Sequence, residues 1–134
     1  MKFTNYISSQ FLGAGAVFRT SNNKILILQK PNGKWSFPGG HREKEETPMQ
    51  TVKRECIEEI GIWPRGTTTD MVLYMKKENN KKCYSFIIDI EDEFVPVLSD
   101  EHIHYKWVYP KALTNLNLTG AIRDLWSNLK LHLI

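Results

Sequence analysis

The sequence predicts an α/β layered domain with strands and helices in one fold. Three observations carry this. Short segments of apolar and β-branched residues are separated by turn residues, which is the strand signal. Two segments place apolar residues at helical spacing. Helices fall among and after the strands, which favours a layered domain over separate all-β and all-α parts. The chain has 134 residues, a length that suits one domain with a sizeable core. Residues 1–134 are therefore expected to form a single domain.

The elements follow in order. Gly13–Thr20 and Lys24–Lys30 read as strands joined by a Ser-Asn-Asn-Lys turn, hence as a hairpin. The segment from Lys30 to Gly40, rich in glycine and proline, reads as a loop. A helix is expected after it. Thr47 can cap it, Pro48 suits its first position, Gln50 completes a capping box and Gly61 stops it. Met49, Val52, Cys56 and Ile60 form its core face at about 100° per residue. Thr67–Glu78 and Lys82–Glu91 are further strands around an Asn-rich turn, and His104–Pro110 is a shorter one. From Thr119 the chain turns helical, with Ile122, Leu125, Trp126 and Leu129 in one apolar stripe.

Composition excludes several classes. The formal charge of +3 permits an anionic ligand but is too small for a nucleic-acid coat. Cys56 and Cys83 form no metal pair and no disulfide framework. No secretory or membrane-spanning segment is visible, and the first residues, with one lysine and no long apolar run, do not read as a signal peptide. These observations predict a cytoplasmic protein that needs neither membrane nor nucleic acid.

Acidic residues crowd one stretch. Six glutamates, at 43, 45, 46, 55, 58 and 59, lie between Gly39 and Gly61. Glu55, Glu58 and Glu59 are spaced i, i+3, i+4 on the expected helix, so their carboxylates can meet beside the core face. Carboxylates so placed repel one another. A hard divalent cation relieves that repulsion, and Mg²⁺ prefers oxygen ligands. The same spacing also suits a solvated acidic face. Phe-Pro-Gly-Gly before the helix brings bare backbone next to the acids, where a carbonyl could join a metal shell.

Gly40, then Glu46, then Arg-Glu-Cys-Ile-Glu-Glu-Ile-Gly-Ile from Arg54 to Ile62 resembles the Nudix box of the Nudix hydrolases, with every fixed charged and glycine position filled. Cys56 replaces a branched aliphatic, Glu45 a common glycine and Arg42 a common aliphatic. The resemblance implies a Nudix-type α/β/α sandwich with a mixed β-sheet. It also implies Mg²⁺-dependent hydrolysis of a nucleoside diphosphate derivative, with Mn²⁺ as a substitute. Glu55, Glu58 and Glu59, with the carbonyl of Gly39, would hold metal. Arg54 would orient the glutamates, Glu46 would brace the loop, and Gly40 and Gly61 would serve the motif's shape. The general base would be Glu55 or Glu101, the latter from a loop six residues before Trp107.

Other residues are candidates for the substrate. Lys30 leads into the Gly-Gly loop and could contact phosphate, as could His41. Trp35 is the aromatic expected to stack on a base, with Phe37 in the core. His102 and His104 could serve as a base in a sugar-nucleotide variant of the family, but the complete box favours an ordinary role. Subgroups acting on dinucleoside polyphosphates or ADP-ribose carry a proline or tyrosine where this chain has Lys-Glu-Asn-Asn (Lys77–Asn80). A nucleoside triphosphate or a modified nucleotide is thus the expected substrate. A nucleotide-sugar pyrophosphatase and a non-catalytic nucleotide-binding module are the alternatives. Either a monomer or a homodimer fits.

Overall fold

The computed structural model describes residues 11–77 and 79–133. The reading of the first ten residues and of Glu78 lies outside them. Among the described residues seven strands form one sheet: β1 Phe11–Arg19, β2 Ile25–Gln29, β3 Trp35–Ser36, β4 Gly39–His41, β5 Thr67–Lys76, β6 Lys81–Asp89 and β7 His104–Val108. The helices are α1 Pro48–Ile60 and α2 Gly120–Leu133, with a 3₁₀ turn at Pro110–Asn115. The path across the sheet is β3-β2-β1-β6-β5, with β4 paired to β1 and β7 to β2. β1 and β6 run parallel and the other pairs antiparallel. The sheet is therefore mixed, as expected.

Alternation along the strands sends side chains to two cores. Val17, Ile25, Ile27 and Ile87 pack with Ile122, Leu125, Trp126 and Leu129 of α2. Ala16, Phe18, Leu26, Leu28 and Ile88 pack with Val52, Cys56 and Ile60 of α1. The helices thus cover opposite faces, which makes the α/β/α sandwich. Cys56 is fully buried, so it fills the aliphatic position of its helix face. Burial pushes its thiol far above the usual range.

α1 keeps its expected limits. Thr47 and Gln50 form the reciprocal capping box, Pro48 opens the helix, and Gly61 closes it in the left-handed conformation at φ 77°. One expectation needs correction, and the expected hairpin is met over a short length. The glycine- and proline-rich loop contains the short strands β3 and β4. The β1–β2 hairpin pairs only at Arg19 with Ile25. The same edge of β1 is taken further along by β4, through Gly13 with His41, Ala14 with Gly40 and Gly15 with Gly39. β2 instead runs along β7 over five residue pairs. Among the described residues no helix is long and apolar enough to cross a membrane.

Candidate active site

β4 brings the Gly-Gly backbone onto β1 and under α1. Gly39 adopts φ +151°, and a Cβ there would lie 2.5 Å from both the Ala14 oxygen and the Gly15 Cα. Only glycine fits that crossing. At Gly40 a Cβ would instead lie 2.3 Å from Glu55 Oε1. The missing side chain is where the Glu55 carboxylate sits.

Arg54 organises the acidic cluster. Its Nε donates to Glu46 Oε2 at 2.7 Å and its Nη2 to Glu46 Oε1 at 3.1 Å, a two-pronged pair. Nη2 also donates to the His41 carbonyl at 2.8 Å, tying β4 to α1. Nη1 donates to Glu55 Oε1 and Glu58 Oε1, both at 3.3 Å. Glu46 completes the brace by accepting from the Glu43 N–H at 2.8 Å and the Thr51 hydroxyl at 2.9 Å. The Arg54 hydrogen bond is the main reason the Glu46 carboxyl drops to about 2. Thr51, fully buried, gave no sign of this part in the sequence.

The three box carboxylates occupy different environments. Glu58 is half exposed and Glu55 mostly covered, with side chains 53% and 14% accessible. Glu59 is only 5% exposed. Its Oε1 accepts from the Gly39 N–H at 2.8 Å. Burial lifts the Glu59 carboxyl to about 8; the Gly39 hydrogen bond opposes this, and the charges of Glu55 and Glu101 add to it. Glu55 is also raised, chiefly by burial. The expectation that the three carboxylates meet is corrected here. Among the described residues no three His, Cys, Asp or Glu side chains are gathered as a metal site. Arg54 takes up Glu55 and Glu58, while the Gly39 amide takes up Glu59.

Glu101 is exposed on the segment between Val97 and Ile103. That segment is tied down by main-chain hydrogen bonds, from Val97 to Ile60, Ser99 to Glu59 and Ile103 to Gln29. It hangs between the end of α1 and the end of β2, and from there the Glu101 charge acts on both Glu55 and Glu59.

A cleft of about 640 Å³ opens beside the cluster. Lys30, Gly39, Gly40, His41, Glu59 and His102 line one part of it. Gly13, Gly15, Cys83 and Ser85 supply a floor of small residues, and Tyr74 and the start of α2 add further walls. Floor and core share one sheet face: where Val17 and Ile87 fill it, the sheet packs on α2, and where glycines replace them, the space stays open. Lys30 and His41 therefore reach the cleft. Trp35 does not. It is 7% exposed and belongs to the α2-side core, with Lys106 Nζ 5.4 Å from its ring centroid. The stacking role expected of Trp35 fails because β3 is covered by the chain near Leu118, which bridges to Trp35. Gly61 lies against Val97, away from the cleft.

Comparison with known proteins agrees with this architecture. The family model described as NUDIX domain matches residues 10–127. Dihydroneopterin triphosphate diphosphatase of Haemophilus influenzae is 27% identical, over 85% of this chain and 85% of that protein. 8-oxo-dGTP diphosphatase of Proteus vulgaris is 44% identical, over 37% of this chain and 48% of that protein. Coverage varies: the match spans 20% of a human relative, so it reaches only part of some relatives' length. Among solved structures, the MutT protein of Methanosarcina mazei Go1 superposes with a TM-score of 0.71 at 25% identity, over 92% of this chain and 95% of that one. With the box complete, its arginine-centred acidic cluster assembled and the fold shared, the chain belongs to the Nudix family.

Proposed function

We propose that this chain is a divalent-cation-dependent pyrophosphohydrolase, one domain over its 134 residues, that cleaves a phosphoanhydride bond in a nucleoside triphosphate or a base-modified nucleotide. The observation that carries the reading is the Glu59 carboxyl, buried within reach of the charges of Glu55 and Glu101 and opening onto a cleft with Lys30. A buried acid among acids is costly unless a positive charge is meant to join it. The donor set is all oxygen, which suits Mg²⁺ or Mn²⁺. Glu55, Glu58 and Glu59 would hold the cation, with the Gly39 carbonyl close by. For this, Glu55 and Glu58 would exchange Arg54 Nη1 for the cation. When bound, the cation neutralises phosphate charge and makes a water easier to deprotonate.

The residues of the chain do the rest. Arg54 and Glu46 set the positions of the glutamates and of β4. Lys30 and His41 meet the anionic phosphates from the cleft. Glu55 or Glu101 takes the proton from the attacking water. Glu55 has the raised carboxyl that a base working near neutrality needs, and Glu101 has the open position. The triphosphate assignment is supported by relatives named for triphosphate substrates. Both cysteines are free and buried, which agrees with a reducing cytoplasmic setting.

The test is release of pyrophosphate or phosphate in Mg²⁺ across nucleoside triphosphates, 8-oxo-dGTP, a dinucleoside tetraphosphate and a nucleotide sugar. Triphosphates should be turned over fastest, and Glu58→Gln and Glu59→Gln should each lower kcat by orders of magnitude while the fold is retained. Preference for the nucleotide sugar would overturn the substrate assignment. Undiminished turnover in excess chelator would overturn the cation.

A further inference from the structure

His102 is a buried polar residue that the acidic cluster does not employ. It is 4% exposed, and neither ring nitrogen has a hydrogen-bond partner among the described residues. An imidazole left with donor and acceptor both unmet costs the folded state free energy, and buried polar groups are seldom left so. The ring is not placed there by slack backbone. The His102 N–H donates to the Ser99 carbonyl at 3.3 Å, and the next residue is pinned to Gln29 at 2.8 Å. The tied segment places His102 in the wall of the cleft, which it lines together with Lys30 and Glu59, with both ring nitrogens covered. Burial first, and then the Lys30 charge, hold the imidazole down at about 4, so it is neutral at pH 7 and carries one N–H.

Geometry and charge select what this N–H can serve. The cation beside it is Lys30, so an anion entering this part of the cleft meets an ammonium and an imidazole N–H together. We propose that His102 donates a hydrogen bond to a phosphate oxygen of the bound nucleotide, beside the charge of Lys30. This rests on the reading that the cleft takes a nucleotide. His102 is then a substrate-binding residue and takes no proton in the reaction. Its unmet N–H is a stability cost that the ligand relieves.

That cost gives the test a signature that a merely structural histidine lacks. In His102→Leu the metal-free protein should melt at or above the wild-type temperature, since no hydrogen bond is lost. Its affinity for inorganic pyrophosphate or for a nucleoside monophosphate, titrated calorimetrically in Mg²⁺, should fall about 10- to 100-fold, the range of a hydrogen bond to a charged group. Loss on pyrophosphate alone places the contact at the leaving end of the chain, and loss on the monophosphate places it beside the nucleoside. Either upholds the proposal. Unchanged affinity for both, or a lowered melting temperature with unchanged affinity, overturns it. Wild-type protein supplies a second measurement that does not depend on the variant folding: the ¹⁵N signals of the His102 ring should shift on adding pyrophosphate or monophosphate, and no shift with either overturns the proposal. Loss of the hydrolase reading would look different, as a wild type that turns over no nucleotide yet binds pyrophosphate through His102.

Discussion

Replacing Glu59 by glutamine should stabilise the metal-free protein, and increasingly so as the pH rises. The folded-state carboxyl lies at about 8 against an ordinary value of 4.5. The native state therefore binds this proton more tightly than the unfolded chain does. Stability from Glu59 is full below about pH 4.5 and is lost as the pH climbs through about 8. At about 1.4 kcal/mol per pH unit, the loss reaches about 2 kcal/mol at pH 6 and about 4 kcal/mol at pH 8, upper bounds for a site that water does not enter. Glutamine carries no charge at any of these pH values, and its oxygen can still accept from the Gly39 N–H. Glu55, coupled to Glu59 by charge, shares part of the effect. The assay is scanning calorimetry of both proteins in chelator from pH 5 to pH 8. Each kcal/mol corresponds to about 4 °C in Tm for a domain of this size. The gap should be smallest near pH 5, about 3 °C, and the variant should melt still higher relative to wild type at pH 8. Mg²⁺ should narrow the gap by stabilising only the wild type. A variant less stable than wild type at pH 8, or a gap that does not change with pH, would refute the reasoning.

Three further outcomes follow from the same cluster. Glu46 sits at about 2 because of Arg54, so its contribution is present above about pH 4.5 and is lost as the pH falls toward 2; Glu46→Gln should cost about 1–3 kcal/mol at pH 7 in urea denaturation, after discounting for solvent screening, and should flatten the acid limb over that window. Gly40→Ala pushes on the mobile end of Glu55, whereas Gly39→Ala meets fixed backbone; the first should leave stability within about 1 kcal/mol but lower kcat about 100-fold, and the second should destabilise by about 3 kcal/mol or more. Between Glu55→Gln and Glu101→Gln, the variant that has lost the base should lose the acidic limb of its kcat–pH profile. If both keep that limb, neither residue is the base.

A single arginine links the parts of the cluster. Arg54 holds Glu46, the His41 carbonyl, Glu55 and Glu58 with one guanidinium. Its planar fork suits several acceptors at fixed angles, which a lysine could not satisfy together. Loop, strand and helix are thereby registered before a cation or substrate arrives.

Features with local causes are legible in the order of residues alone. The limits of α1 follow from Thr47, Gln50 and Gly61, because capping bonds span only a few residues. The apolar stripe of α2 and the strands β5 and β6 follow from periodicity, and the spacing of Gly40, Glu46, Arg54 and the three glutamates was legible residue by residue. Tertiary structure decided what depends on distant partners. Adjacent Glu58 and Glu59 look alike in the sequence, yet one is half exposed and the other buried, because α1 leans on β1 and β4 with Glu59 over the Gly39 amide. β1 and β2 part after one pair because β4 competes for the same edge. Trp35 went to the core because Leu118, far along the chain, covers β3. The burial of His102 arises the same way, since the segment that carries it is tied to the end of β2 and the end of α1, which meet only when the sheet is assembled. Local bonding rules act through neighbours in the chain, whereas burial and charge depend on which segments fold against one another.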